Sequence, residues 1–156
     1  MSTQQNIYLK NDSNNWGLFE NPTAKDFADR NITVDENAYI DEYAYIDKNA
    51  HIGKNAYIGR NAHIGEYTNI GKNAHIGRNA YICRNVKIGE YANIGRNITV
   101  DENAHIGRNI TVDENAHIGR NVTIGKNTYI GEYANIGRNV IIDEYAYIGK
   151  SANIIE

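Results

Sequence analysis

Five histidines, His51, His63, His75, His105 and His117, are the residues of this chain best suited to chemistry. Imidazole titrates near neutrality, so a histidine held by a carboxylate can act as a general base, and several that converge can hold a metal ion. Cysteine chemistry rests on Cys83 alone, which has no second thiol to pair with. Only the neighbouring Arg84 favours a thiolate there, so Cys83 reads as a tolerated replacement, and its solitude suits a reducing compartment. Arg60, Arg78 and Arg96 recur at steps of eighteen, and such a stripe of like charge invites an anionic partner. No G-x-G-x-x-G or other phosphate-cradling loop occurs, and no cofactor is expected.

A period of six positions these side chains. Val34 and every sixth residue after it up to Ile154 give 21 positions, each Ile or Val. Two residues before each stands a small or branched one, usually Ala, as at Ala38, Ala50, Ala56 and Ala62, and sometimes Ile32, Thr68, Val86 or Ile98. That pair points inward at strand spacing, whereas steps of six would scatter the Ile series around a helix. After the aliphatic residue come Gly or Asp, then a charge, then Asn or Tyr, with departures at Cys83, Ser151 and Ile155. Asn tolerates the left-handed backbone region and Gly keeps the chain uncrowded, so this trio reads as a corner. Three hexads close one triangular coil of 18 residues, and the series makes seven coils. Stacked at about 4.8 Å, they form a prism roughly 30–35 Å long, filled with Ile and Ala.

Residues 1–30 do not repeat and are expected to cap residues 31–156. Trp16, Leu18, Phe19 and Phe27 gather there the large apolar groups that the repeats lack, and Asn21-Pro22 resembles a helix start with Pro at the first helical position. A solenoid end needs such cover because it bares apolar side chains and unpaired strand edges. Ser151 to Glu156 offer no matching cap, so the last coil is open to pairing with another copy. The polar stretch Met1 to Asn15 carries no signal sequence, no run of 18 apolar residues is present, and a cytoplasmic location is expected. The twelve residues from Gly95 to Ile106 recur identically from Gly107 to Ile118. Since twelve is not a whole coil, the copies fall on different faces, which fits unequal recombination of a natural repeat.

The phrase Ile58-Gly59-Arg60-Asn61-Ala62-His63 resembles the hexapeptide repeat of left-handed parallel β-helix proteins, the acyltransferases and γ-class carbonic anhydrases. The likeness covers Asn31 to Glu156. It implies an all-β, left-handed triangular solenoid and a trimeric assembly. Left-handedness is implied by the likeness alone, because general chirality favours right-handed crossovers. It also implies, for an enzyme, a loop that interrupts the coils and reaches over a neighbouring subunit near the catalytic histidine. Here no insertion breaks the series from Val34 to Ile154. His51 and His105 share one face and His63 and His117 another, each pair three coils and roughly 14 Å apart, too far to share a metal ion. No partner carboxylate is evident for any histidine.

A smooth rod without lid or cleft offers neither desolvation nor converging polar groups. The sequence is therefore read as a non-enzymatic, self-associating scaffold or inhibitor that presents flat Tyr, His and Asn faces to a protein partner. Self-association would give a trimer, as the likeness implies, or a dimer through the uncapped last coil. The binding face carries Tyr39, Tyr57, His75, Tyr129 and Tyr147, beside glycines that leave a shallow groove and the arginine stripe Arg60, Arg78 and Arg96. Catalytic and metal residues are not assigned. The alternative is an acyltransferase-like enzyme with a site between subunits. A nucleic-acid surface is a third reading, disfavoured by the formal charge of −3.

Overall fold

The computed structural model describes residues 5–11 and 13–155. Residues 1–4, Asp12 and Glu156, on which part of the expectations for the two chain ends falls, lie outside the described residues. From Thr33–Val34 to Asn153–Ile154 the chain makes 21 strands of two residues each. Each strand pairs in parallel with those eighteen residues away, as His75 does with Tyr57 and Asn93. The result is a left-handed parallel β-helix of about seven turns with three flat faces. Face A runs from Tyr45 to Asn153, face B from Thr33 to Ile141, and face C from Tyr39 to Tyr147.

One hexad shows why six residues make one side. In the strand Tyr57–Ile58 the tyrosine points outward and Ile58 is fully buried. Gly59 and Arg60 lead to Asn61, whose φ of 57° turns the chain, and Ala62 points inward again. Backbone groups bond from coil to coil, with the Tyr57 amide donating to Ala74 and the Gly59 amide to Ile76. Every corner from Asn31 to Ser151 has positive φ, and at five of them the residue is Tyr. Thr68 replaces the usual core Ala without an orphaned hydroxyl, because its Oγ1 donates to the Cys83 carbonyl at 2.8 Å.

No described glycine has positive φ. A Cβ at Gly77 would lie 2.5 Å from the Gly95 carbonyl carbon, so glycine is needed there because the next coil's backbone presses against it. Of the groove expected along Gly59, Gly77 and Gly95, the part beside Gly59 is present as a depression.

The corner asparagines also bond to one another. Asn79 donates to Asn97 and Asn97 to Asn115, both at 3.1 Å, along one edge of the prism. Asn97→Ala is expected to lower stability by about 1–2 kcal/mol, because Ala bears the full left-handed Cβ cost and breaks the amide chain. Asn97→Gly should recover the backbone part only. Urea midpoints of the two variants check this, and equal losses would show that the amide chain, not the backbone, carries the effect.

The first coil is covered by a hairpin, β1 (Asn6–Lys10) and β2 (Trp16–Glu20). β1 runs parallel to Tyr45–Ile46, and its buried Ile7 and Leu9 extend the inner columns. A short helix α1 (Ala24–Ala28) follows. Its cap is Thr23, one residue past Pro22: the Thr23 hydroxyl accepts the Asp26 amide at 3.3 Å while the Asp26 carboxylate accepts the Thr23 amide at 2.7 Å. Pro22 therefore precedes the cap and lies outside the helix, in place of the first helical position expected for it.

Candidate functional site

At four positions where Asp stands in place of Gly after the inward Ile or Val, the carboxylate reaches the outward side chain sixteen residues later, on the next coil. Asp35 meets His51 at 3.0 Å and Asp101 meets His117 at 3.1 Å, each through Oδ2 and Nε2. The same geometry joins Tyr57 to Asp41 at 3.0 Å, and Tyr129 to Asp113. Burial and the Asp41 hydrogen bond raise the Tyr57 phenol, and hydrogen bonding to Asp113 pushes Tyr129 up to about 12. Both tyrosines are therefore hydrogen-bond donors, not bases.

For the two histidines the carboxylate accepts from Nε2 and fixes the ring. Nδ1 of His51 accepts from Nδ2 of Asn69 at 3.2 Å, whereas Nδ1 of His117 donates to Oδ1 of Asn135 at 2.9 Å, an amide whose own NH2 is committed to Asn153. Around His117 is a depression of about 280 Å³ lined by Asp101, Gly119, Arg120, Gly137 and Arg138. Several corner cations are paired between coils, Arg84 with Glu102 at 3.0 Å, Lys126 with Glu144 at 3.2 Å and Lys150 with Glu132 at 2.8 Å. Arg120 and Arg138 have no such acid partner among the described residues. Two guanidinium groups on adjacent coils beside an imidazole offer a seat for an anion.

A second walled region lies under the hairpin. The Trp16 ring stands edge-on to Tyr45 and to His63, with centroids 5.1 and 5.3 Å away, and Tyr81 closes on His63 at 4.5 Å. Asp47, the carboxylate that would otherwise meet His63, is held by Lys10 at 3.0 Å. Burial therefore lowers the His63 pKa from its ordinary 6.5; Asp47 opposes that shift and Lys10 adds to it. The unfolded chain binds this proton more readily than the folded one. The stability His63 contributes is thus whole above about pH 6.5 and is lost as pH falls below it. His63→Phe is expected to flatten that part of the profile, seen as a smaller drop in urea midpoint between pH 7.5 and 5.5 than in the parent. An unchanged drop would assign the dependence to other groups. In the same region, burial together with Asp101 and Glu102 raises the Cys83 thiol, away from the reactive thiolate.

The residues picked out from the sequence on face C are partly brought together. Tyr39, Tyr57 and His75 form one stack, with centroid spacings of 5.5 and 4.8 Å, and Tyr129 and Tyr147 form another at 4.9 Å. Asn93 and Thr111 separate the two. Arg60 turns to Glu42 at 2.8 Å and Arg96 to Glu114 at 2.6 Å, while Arg78 has no acid partner among the described residues. Arg78 shares a depression of about 350 Å³ with Asp41, Tyr57, Gly59, Arg60 and His75. Among the described residues no group of three or more His, Cys, Asp and Glu side chains could hold a metal ion. No described helix is long and apolar enough to cross a membrane.

A model of the bacterial transferase hexapeptide family, six repeats long, matches residues 31–66, 67–100, 103–138 and 121–155. The chain belongs to that family. No curated protein matches its sequence. Among solved structures, the UDP-N-acetylglucosamine acyltransferase of Francisella novicida is similar at 28% identity and a TM-score of 0.59, over 78% of this chain and 54% of that one. The UDP-N-acetylglucosamine O-acyltransferase of Moraxella catarrhalis is similar at 21% identity and a TM-score of 0.50, over 80% of this chain and 65% of that one, and shows the fold. This chain therefore spans less than two thirds of either neighbour.

These relations correct the expectation of a non-enzymatic scaffold or inhibitor presenting flat faces to a protein partner, and the leaning away from an enzyme that went with it. The physical reason is visible in the molecule. Faces inferred to be smooth carry depressions, and histidines inferred to lack a carboxylate partner have one in Asp35 and Asp101. The sequence did hold a signal for those partners: Asp in the Gly position, followed sixteen residues later by His.

Proposed function

We propose that this solenoid transfers an acyl group from a thioester donor to a hydroxyl acceptor, with His117 and Asp101 as the reacting pair. The observation that carries this reading is the oriented imidazole beside the two unpaired arginines, Arg120 and Arg138, within a transferase family. The arginines suit the phosphate groups of a coenzyme A type donor, because each offers a planar fork to a phosphate. A hydroxyl of the acceptor takes the place of Asn135 Oδ1; with that hydrogen-bond acceptor gone and the ring hydrogen kept on Nε2 by Asp101, Nδ1 of His117 presents its lone pair and takes the hydroxyl proton. The acceptor oxygen then bonds to the carbonyl carbon, the carbon–sulfur bond breaks, and the imidazolium returns the proton to the leaving thiolate. Asp101 keeps the ring in place throughout and stabilises its cationic form. The acceptor class we favour is a nucleotide sugar, as in the name of the Francisella novicida neighbour.

One face supplies only one wall, so in this reading a second copy of the chain closes the site, and residues 1–30 cap the solenoid of 31–156. The test is calorimetric titration with coenzyme A together with release of free thiol from acetyl-coenzyme A in the presence of nucleotide sugars. Stoichiometric binding that is lost in the Arg120→Ala/Arg138→Ala double variant is expected. Absence of binding by the parent, or binding indifferent to both arginines, would remove this reading.

A further inference from the structure

The His117 site has a copy. Sixty-six residues before Asp101, His117, Gly119, Asn135, Gly137 and Arg138 stand Asp35, His51, Gly53, Asn69, Gly71 and Lys72. The copy keeps the carboxylate geometry as well as the residues. His51 and His117 lie 3.0 and 3.1 Å from their carboxylates, and each Nδ1 meets an asparagine one coil on, through Nδ2 of Asn69 in one and Oδ1 of Asn135 in the other. Sixty-six residues are eleven hexads, which is not a whole number of coils, so the copy lies on face B and the original on face A.

We infer that the face B constellation around His51 is a second binding site for a phosphate-bearing ligand, so that each chain holds two equivalents. The class of ligand rests on the proposed function, whereas the duplication of the site does not. The site lies in a trough of about 530 Å³ that runs on past Gly53, Gly71 and Gly89 to His105 and is bordered by Glu90 as well as by the lysines. His105 is three coils from His51, roughly 14 Å along the prism, so the trough suits an extended ligand. Its cations differ from those on face A. Lys54, which corresponds to Arg120, is already held by Glu36 at 2.7 Å, while Lys72 and the neighbouring Lys87 have no ion pair among the described residues. Lysine meets a phosphate as a point charge and arginine as a two-pronged donor. The face B site should therefore bind the same group with lower affinity, by about tenfold for one lost paired contact.

Calorimetry with coenzyme A and, separately, with inorganic pyrophosphate tests this on the full chain, with circular dichroism confirming that each variant is folded. The parent should bind two equivalents of coenzyme A per chain with unequal affinities. Lys72→Ala/Lys87→Ala should lose the weaker and Arg120→Ala/Arg138→Ala the tighter, each leaving one. One equivalent in the parent, abolished by the arginine changes and untouched by the lysine changes, would overturn the second site and leave the proposed function standing. Two equivalents of pyrophosphate with no binding of coenzyme A would support the duplicated anion site and remove the acyl-donor reading instead. Binding of neither probe would overturn both.

Discussion

In a chain whose His51 has already been replaced by alanine, so that one dyad remains, His117→Ala is expected to lower acyl transfer by about 10²–10⁴-fold, the usual worth of a positioned general base. Affinity for coenzyme A should stay near that of the parent, because the imidazole meets the acceptor's proton and not the donor's phosphates. Asp101→Asn is the sharper probe. An amide facing Nε2 can donate to it, which places the ring hydrogen on Nδ1 and leaves no lone pair there to take a proton. The loss should then approach that of His117→Ala although the side chain keeps its size. Rates of thiol release across the three proteins decide the matter; a His117→Ala chain as fast as its parent would show that the base lies elsewhere.

The largest structural effect is expected at Ile94. Its side chain is fully buried in the middle of a column, between Ile76 and Val112 on the neighbouring coils. Ile94→Ala should cost about 2–5 kcal/mol, toward the upper part of that range. The void cannot collapse along the prism axis, since backbone hydrogen bonds hold the coils above and below at fixed spacing. At Ile154, on the last coil and only half-buried, the same change should cost much less. In a stack where each coil touches only its neighbours, a lesion at the centre also weakens the coupling of the two halves. Denaturant midpoints and slopes report both effects, and an Ile154→Ala chain less stable than Ile94→Ala would contradict the column as the source of stability.

Most of the fold was legible in the sequence because a single rule generates it. An inward Ile or Val every six residues with Asn at the turn admits few shapes, and the observed φ of 53–62° at the repeat corners agrees with the choice of Asn. The hairpin was not legible. Trp16, Leu18 and Phe19 gave away an apolar cap, but the pairing of its other strand, β1, with Tyr45–Ile46 and the reach of the Trp16 ring to His63 depend on contacts made across the chain. The site was missed for a more instructive reason. Histidines were compared with histidines on one face, whereas their partners are carboxylates on the preceding coil, displaced by two residues from the directly stacked position. Comparing spacings of sixteen as well as eighteen would have exposed both dyads. The arginine stripe was legible, and so was its relief, since Glu42 and Glu114 flank it at the same step of eighteen and pair with Arg60 and Arg96.

The interior of this molecule cannot tell one hexad from the next, and that indifference has a consequence for its surface. Gain or loss of a single hexad would leave the buried columns continuous while turning everything beyond it through one third of a revolution. The angle between the His51 and His117 constellations is therefore set by a count, the eleven hexads that separate them. A lineage can re-aim one site against the other through a slip in copying, with no new side chain and no cost in packing.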